Sequence, residues 1–282
     1  MIRVHHGDNL PVLRAMAAAS FDLIYIDPPF NTGRVQRRIA QRMTRDAAGD
    51  RTGFAGQRYR TETIAERRYD DRFDDYLGFL EPRLREAHRV LAPRGSLFVH
   101  LDFREVHYVK VLLDTVFGRD AFVNEIIWAY DYGARSRTRW SPKHDNILWY
   151  ARTPGDYVFE HDAIDRVPYM APRLVTPEKA ARGKTPTDTW WHTIVSPTGK
   201  EKTGYPTQKP LGILERIVKV HSAPGARLLD FFAGSGSFGE AADRHGRDVT
   251  LVDSSADAVA VMRARITATA SALLSTSVTS RP

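Results

Sequence analysis

Short apolar runs alternate with longer segments whose apolar residues recur at helical spacing, at both ends of the chain. The short runs predict buried strands over residues 3–5, 21–26, 96–101, 227–230 and 248–252. The helical spacing predicts helices over residues 11–19, 75–91, 104–117, 211–221 and 236–245. This alternation is typical of an α/β fold with a mostly parallel sheet covered by helices.

The middle and the end of the chain depart from this alternation. Residues 124–128 and 146–150 are strand-like runs that predict an antiparallel hairpin at one end of the sheet. Residues 151–203 are rich in Pro, Thr, Arg and Trp and show no clear period, so we expect an inserted, irregular lobe. Residues 268–282, rich in Ala, Ser and Thr, predict a flexible tail.

Composition narrows the class of protein. Of the 282 residues 42% are hydrophobic, enough for a core, and no run approaches the roughly 20 apolar residues of a membrane span. The N-terminus lacks a signal-peptide pattern and there is no cysteine, so we expect a cytoplasmic protein without disulfides. We expect no metal site, because His144 and His161 lack the neighbours of a zinc or iron site.

The charge is uneven along the chain. A formal charge of +7 favours a polyanionic partner, and eleven arginines but only six acidic residues lie between Asn31 and Arg72. Residues 31–74 show little aliphatic periodicity and are too long for an ordinary connection, so they predict a mobile basic loop. Its composition fits a solvated surface insertion as well as a nucleic-acid contact.

The first motif that carries chemistry is a predicted strand that runs into a glycine loop and then a helix. Glycines permit a tight turn and close backbone approach to a ligand, and a helix N-terminus offers free N–H groups. The next strand ends at Asp253, where a carboxylate would accept hydrogen bonds from ribose hydroxyls. The glycines alone also fit a plain turn. The motif comprises Asp230, Phe231, Phe232, Ala233, Gly234, Ser235 and Gly236.

The second motif, Asp27, Pro28, Pro29 and Phe30, follows the predicted strand 21–26. Two prolines keep the backbone extended, and the Pro28 carbonyl stays free while neither proline supplies an N–H. A carboxylate beside a free carbonyl suits an NH₂ group with two donors, and an aromatic ring can stack on a planar base. Taken alone, the motif also fits a Pro-Pro turn beside an incidental acid.

Together these motifs resemble those of the beta class of DNA amino-methyltransferases. Asp27 to Phe30 is similar to the catalytic motif of that family, and the glycine loop resembles its S-adenosylmethionine motif. Residues 205–210, Y-P-T-Q-K-P, resemble the family's H-P-T-Q-K-P, with Tyr205 in place of His. Phe30 replaces the commoner Tyr, which keeps the ring and loses a hydroxyl. The catalytic motif precedes the cofactor motif, the permuted order of this class.

The resemblance implies a Rossmann-like S-adenosylmethionine-dependent methyltransferase fold. Its catalytic half would lie in residues 1–130 and its cofactor-binding half in residues 204–267. Asp253 would bind the ribose and Asp8 would lie near the adenine ring of the cofactor, whose product is S-adenosylhomocysteine. Direct transfer needs no covalent intermediate. The implied catalytic residues are Asp27, Pro28, Pro29 and Phe30. The implied cofactor-binding residues are Asp8, Asp27, Lys209, Asp230, Phe231, Phe232, Ala233, Gly234, Ser235, Gly236 and Asp253.

Double-stranded DNA would be the substrate, with the target base flipped out of the duplex. We expect target recognition in residues 131–203, while the basic loop would embrace the DNA. Arginine can read guanine whereas other basic residues contact phosphates, and the individual roles stay open. The candidate DNA contacts are Arg34, Arg37, Arg38, Arg135, Arg137, Arg139 and Lys143.

The identity of the target base rests on one residue. Cytosine-N4 enzymes of the family more often have Ser at the position of Asp27, so Asp favours adenine N6, with cytosine N4 as the alternative. A DNA-binding protein with a decayed active site is the alternative from another class. A homodimer and a cognate restriction endonuclease are partners that the resemblance allows and the sequence does not decide; no membrane partner is expected.

Overall fold

Eight strands form one mixed sheet in the computed structural model, which describes residues 1–52, 56–196, 199, 201–205 and 207–278. Three further strands form a small separate sheet. The strands are β1 (Ile2–His6), β2 (Phe21–Ile26), β3 (Arg34–Arg45), β4 (Arg51–Thr52), β5 (Arg58–Asp71), β6 (Leu91–Leu101), β7 (Phe122–Ala129), β8 (His144–Ala151), β9 (Thr189–Trp191), β10 (Arg227–Asp230) and β11 (Asp248–Asp253).

The order of strands in the large sheet is β1-β11-β10-β2-β6-β8-β7-β9. The first five strands in this order, β1, β11, β10, β2 and β6, are parallel to one another. Strand β8 pairs antiparallel with both β6 and β7. In the hairpin, Ile126 lies opposite Ile147. These pairings confirm the predicted fold class, an α/β protein with a mostly parallel sheet that ends in an antiparallel hairpin.

Helices cover both faces of the large sheet, because alternate residues of a strand point to opposite sides. On β2, Ile24 and Ile26 pack in the core shared with α1, α2 and α3, whereas Leu23 and Tyr25 pack in the core shared with α5, α6 and α7. The helices are α1 (Asn9–Ala15), α2 (Tyr76–Val90), α3 (Val106–Phe117), α4 (Pro177–Arg182), α5 (Leu211–His221), α6 (Ser237–Arg244) and α7 (Ala256–Val278).

Two element boundaries differ from the prediction for local reasons. Helix α1 starts two residues early because the Asp8 side chain accepts the Leu10 N–H at 3.0 Å, and it stops where Met16 becomes extended. Strand β6 begins at Leu91, and its register with β2 shifts where residues 92–95 bulge out before Ser96 pairs with Leu23.

Residues 34–45, 51–52 and 58–71 form strands where the sequence predicted a loop. Strands β3 and β5 form a long antiparallel ladder from Arg34 opposite Asp71 to Arg45 opposite Tyr59, and β4 pairs with the start of β5. The sequence of this segment lacks the regular alternation of apolar and polar residues that predicts a half-buried strand, so its pattern gave no sign of the ladder.

The C-terminal part of the chain also differs. Helix α7 continues to Val278, through most of the segment from Ala268 that predicted a flexible tail, and residues 279–282 lie outside the described part. Residues 256–278 contain many alanines and neither Gly nor Pro, which favours a continuous helix. None of the helices in the described ranges is long and apolar enough to cross a membrane.

The segment between β8 and α5 is largely irregular, as predicted, but it returns once to the large sheet. Strand β9 pairs parallel with β7, with Thr189 opposite Ile127. Between β8 and β9 the chain forms helix α4 and several turns, and Val167 makes an isolated backbone pairing with Lys184. This segment therefore leaves the sheet from the interior strand β8 and returns to the edge of the sheet through β9.

Candidate active site

Four aspartates lie at one edge of the large sheet. Asp27, Asp230 and Asp253 stand at the carboxyl ends of β2, β10 and β11, and Asp8 follows β1. Parallel strands bring these ends together, and open α/β sheets bind ligands at this edge. A cavity of about 580 Å³ lies among the four side chains, within the size range of small-molecule sites.

The cavity collects nearly all of the residues that the sequence assigned to catalysis and cofactor binding. Gly236 alone of that set is not part of the wall. The predicted residues that line the cavity are Asp8, Asp27, Pro28, Pro29, Phe30, Lys209, Asp230, Phe231, Phe232, Ala233, Gly234, Ser235 and Asp253.

Gly236 shapes the glycine loop from behind. Its φ of 72° is a left-handed conformation that glycine adopts without strain, and it caps the N-terminus of α6. A Cβ at this position would lie 2.7 Å from Cγ of Met262 on α7. Gly236 therefore allows both the sharp turn into α6 and the close packing of α7 against the loop.

Backbone hydrogen bonds tie the glycine loop to the next strand. The N–H groups of Gly234 and Ser255 both donate to the Asp253 carboxyl group at 2.8 Å, and the Phe232 N–H donates to Asp230 at 2.9 Å. Burial raises the pKa of Asp253, against the effect of its two N–H donors. Burial also raises the pKa of Asp230 well above its usual range. The loop is thus held rigidly at the edge of the sheet.

Asp27 forms a buried ion pair that the sequence did not predict. Lys209 Nζ lies 2.5 Å from Asp27 Oδ2, and the two side chains are only 8% and 18% exposed. The same ammonium lies 4.8 Å from the centroid of the Phe30 ring. Asp27 Oδ1 is buried and has no hydrogen-bond partner among the described residues. One oxygen of Asp27 is therefore fixed by Lys209, and the other remains available as an acceptor.

The charge of the cavity fits the cofactor that the resemblance implies. Four carboxyl groups face two basic side chains, Arg83 and Lys209. S-adenosylmethionine carries a sulfonium, an ammonium and a ribose diol, so an excess of carboxyl groups suits both its cations and its hydroxyl donors. The residues present therefore fit this group. No cluster of His, Cys, Asp or Glu in the described ranges could hold a metal ion.

Arg83 is a cavity residue that the sequence reading missed. It lies buried on α2, where Nε donates to Asn9 Oδ1 at 2.6 Å and Nη2 to Asp8 Oδ1 at 3.0 Å. Its guanidinium lies 3.9 Å from the centroid of the Phe79 ring. Burial lowers the pKa of Arg83 against the opposing effect of Asp8. The available signal was a charged residue on the apolar face of α2, beside Leu80 and Leu84.

A second cavity of about 700 Å³ adjoins the first. Phe30, Tyr205, Thr207 and Lys209 belong to the walls of both cavities. The remaining wall comes from four parts of the chain that are far apart in sequence. It includes Asp102, Arg104, Trp128, Tyr130, His144, Asp145 and Ile194. Phe30 thus stands at the junction of two cavities, one at the ends of parallel strands and one at the antiparallel hairpin.

A buried polar chain connects the two cavities behind Phe30. Tyr25 Oη lies 2.8 Å from His100 Nδ1, and His100 Nε2 lies 3.1 Å from Asp145 Oδ2. Tyr130 donates its hydroxyl to Asp145 Oδ1 at 3.1 Å. Burial acts to raise the pKa of Asp145, but contacts with His100 outweigh it and hold that pKa below its usual value. The His100 ring is nearly parallel to that of Phe30, with centroids 6.1 Å apart.

Four of the candidate DNA contacts lie outside both cavities. Arg135, Arg137, Arg139 and Lys143 belong to the connection between β7 and β8. Arg135 pairs with Asp131, and the Lys143 ammonium donates to the Tyr132 carbonyl. The candidates on β3 have side chains outside the described part of the structure, namely Arg34, Arg37 and Arg38.

Comparisons with known proteins agree with this geometry. A family model described as DNA methylase matches residues 21–263. The DNA adenine methyltransferase YhdJ of Escherichia coli (strain K12) is 28% identical over 250 residues, which are 86% of this chain and 74% of YhdJ.

Two solved structures show the same fold. The complex of M1.HpyAVI with SAM has a TM-score of 0.61 at 19% identity, covering 94% of this chain and 99% of that one. The PvuII DNA methyltransferase, described as cytosine-N4-specific, has a TM-score of 0.63 at 14% identity, covering 93% and 85%. Since the family match spans most of the chain, this protein belongs to the DNA methylase family of N6 and N4 methyltransferases, which use S-adenosylmethionine.

Proposed function

We propose that this enzyme transfers the methyl group of S-adenosylmethionine to the N6 amino nitrogen of adenine in duplex DNA. The observation that carries the proposal is the state of Asp27. One of its oxygens is fixed by Lys209, and the other is buried, partner-free and placed beside Phe30, where the two cavities meet. A buried acceptor without a donor is costly, so a ligand N–H is its natural complement.

The first cavity would hold the cofactor, which supplies an electrophilic methyl group when bound. The glycine loop from Phe232 to Gly236 would surround the methionine part, and Asp253 would accept hydrogen bonds from the ribose. Asp8, held by Arg83, would lie near the adenine ring of the cofactor. The closed network around Asp253 and Gly234 supports a preformed pocket rather than one that orders on binding.

The second cavity would receive the target base. A base inside a duplex cannot reach Asp27, so it must be flipped out at a cost of a few kcal/mol. Phe30 would stack on the flipped base, while Asp27 and the Pro28 carbonyl accept hydrogen bonds from its amino group. These acceptors orient the nitrogen and stabilise the positive charge that develops on it.

The choice of adenine N6 over cytosine N4 as the methylated atom rests on fewer observations than methyl transfer itself. Asp at position 27 favours adenine by resemblance, and the relative YhdJ is named an adenine methyltransferase. Cytosine N4 is the second candidate, because the PvuII enzyme, described as cytosine-N4-specific, is among the structures with the same fold. The ion-paired Asp27 and the hydrogen-bonded glycine loop argue against a decayed site that only binds DNA.

One experiment tests the reaction and the base together. Plasmid DNA is incubated with the enzyme and cofactor labelled in its methyl group, digested to nucleosides and separated. We expect label in N6-methyladenine for the wild type and none for Asp27→Ala. Label in N4-methylcytosine would overturn the base assignment, and wild-type activity of Asp27→Ala would overturn the mechanism.

The β3–β5 sheet and residues 131–203 would provide the DNA contacts. Replacing residues 34–71 by a short linker should abolish DNA affinity and spare cofactor binding, and unchanged DNA affinity would contradict this role. A DNA substrate would place the enzyme in the cytoplasm. A homodimer would be visible as a doubled mass in light scattering, and a restriction partner as cleavage of DNA that lacks the modification.

A further inference from the structure

Trp140 is the most exposed of the five tryptophans. Its side chain is 98% exposed, that of Trp191 is 75% exposed, and Trp128, Trp149 and Trp190 are buried. Trp140 closes a run of ten consecutive exposed residues, 131–140, between β7 and β8. An exposed indole ring becomes informative where its neighbours also point to a ligand.

The connection that carries Trp140 is held in shape by its own hydrogen bonds. The Tyr130 N–H donates to the Lys143 carbonyl at 3.0 Å and closes its base. Near the tip, the Ser136 N–H donates to Ser141 Oγ at 2.7 Å, and the Arg139 N–H donates to Ser136 Oγ at 3.3 Å. The turn therefore presents the indole ring to solvent in a defined place.

The base of this connection borders the proposed pocket for the target base. Tyr130, Pro142 and His144 all line the second cavity. Residues 131–143 carry four basic side chains against Asp131, a net charge of +3. The guanidinium groups of Arg137 and Arg139 form no ion pair with any described residue. An exposed ring that follows two arginines without ion pairs, on a connection whose base lines the cavity, matches the chemistry of stacked bases between phosphates.

We propose that Trp140 inserts into the base stack of DNA at the position that the flipped base vacates, while Arg137 and Arg139 contact the flanking phosphates. The inference rests on the proposed function, since it requires a flipped base. A planar ring stacks on both neighbouring bases regardless of sequence, and large apolar side chains serve as wedges in other proteins that distort DNA. Trp140 thereby stabilises the extrahelical state that Asp27 needs.

The test compares paired and unpaired targets. Methylated plasmid is first sequenced by a method that detects modified bases, which locates the methylated site. The ratio kcat/KM is then measured on a duplex that contains this site and on the same duplex with the target base mismatched. We expect Trp140→Ala to lose about 10- to 100-fold on the paired duplex, the usual effect of removing one stacked ring. On the mismatched duplex, where flipping costs less, it should recover to within about threefold of the wild type.

The conservative variant Trp140→Phe provides the matched control, because it keeps a ring that can stack. It should lose less than about fivefold on the paired duplex. Melting temperature and S-adenosylmethionine affinity should match the wild type for both variants, since the side chain is exposed and lies outside the cofactor cavity.

Three results would contradict the inserted position of Trp140. Wild-type kcat/KM for Trp140→Ala on the paired duplex would overturn the inference alone. Equal losses on paired and mismatched duplexes would also overturn it, since the ring would then contact DNA without supporting the flipped state. A wild-type enzyme that methylates no DNA would overturn the proposed function, and this inference with it.

Discussion

The two cavities that meet at Phe30 are built differently. The first lies where parallel strands end, and each of its acidic residues stands at the end of a strand or directly after it. The second is assembled around an antiparallel hairpin from segments near residues 102–104, 128–130, 142–145 and 194–209. The first is therefore specified by local motifs, and the second by tertiary contacts.

Under the proposed function, this difference matches two different tasks, cofactor binding in the first cavity and base binding in the second. A cofactor that is the same in every member of a family can be held by a short loop and a few strand ends. A target base in a particular DNA sequence needs a surface that differs between members, which the hairpin and the inserted lobe can vary without disturbing the parallel strands. Lys209 belongs to both walls, so substitutions there should affect both tasks.

The largest effect is expected for Lys209→Met. It leaves Asp27 without its counter-ion in a site where the two side chains are 8% and 18% exposed, so the free energy of unfolding should fall by about 3 to 5 kcal/mol. Methylation should fall by more than about 100-fold, because Asp27 loses its orientation. Urea denaturation and labelled-cofactor assays measure both effects.

A second variant separates the two effects of that substitution. Lys209→Met combined with Asp27→Asn removes both charges, so it should regain most of the lost stability while remaining inactive. If Lys209→Met alone kept wild-type stability and activity, the ion pair would have no part in holding the catalytic motif.

Two glycines near opposite ends of α6 form a matched pair. Gly236 and Gly246 have φ values of 72° and 70°, but a Cβ would meet Met262 only at Gly236. Gly246→Ala should cost about 1 kcal/mol of unfolding free energy from backbone strain alone. Gly236→Ala should cost about 2 to 3 kcal/mol, since close packing adds to the same strain. Equal costs would show that α7 does not pack on the loop as described, and thermal unfolding decides between the outcomes.

The sequence predicted the first cavity well because its signals are local. Asp27, Asp230 and Asp253 could be placed at strand ends from short apolar runs, and the parallel order then brought them to one edge. Arg83 escaped notice because its partners, Asp8 and Asn9, are about 75 positions away in the chain. Only a charged side chain on the apolar face of α2 hinted at that contact.

The second cavity and the β3–β5 sheet could not be derived in this way. His100 and Asp145 lie on neighbouring strands, and their contact depends on the register between β6 and β8. The sequence of β3 and β5 lacks a regular alternation of apolar and polar residues, so periodicity gave no sign of a strand. Hydrophobic patterns indicate which residues are buried, whereas the second cavity and the β3–β5 sheet depend on which strands pair and in which register.

A substitution confined to the first cavity is Arg83→Met. Asp8 loses its charged partner and α1 loses the contact with Asn9, so the dissociation constant for S-adenosylmethionine should rise about tenfold. The KM for DNA should stay within about twofold, since Arg83 does not line the second cavity. Calorimetry with cofactor alone gives the first number, and steady-state kinetics the second. A change in KM for DNA as large as that in cofactor affinity would contradict the separation of the cavities.

The smallest effect is expected in the second cavity, for Tyr130→Phe. The change removes only the hydroxyl that donates to Asp145 Oδ1, while the ring keeps its contact with Trp128 at a centroid distance of 5.1 Å. One such hydrogen bond is worth about 1 kcal/mol, so the KM for DNA should rise by about threefold to fivefold. Cofactor affinity should not change, because Tyr130 is absent from the first cavity. Arg83→Met should change only cofactor affinity, and Tyr130→Phe should change only the KM for DNA. If either variant changed the other quantity instead, the polar chain through His100 would couple binding in the two cavities.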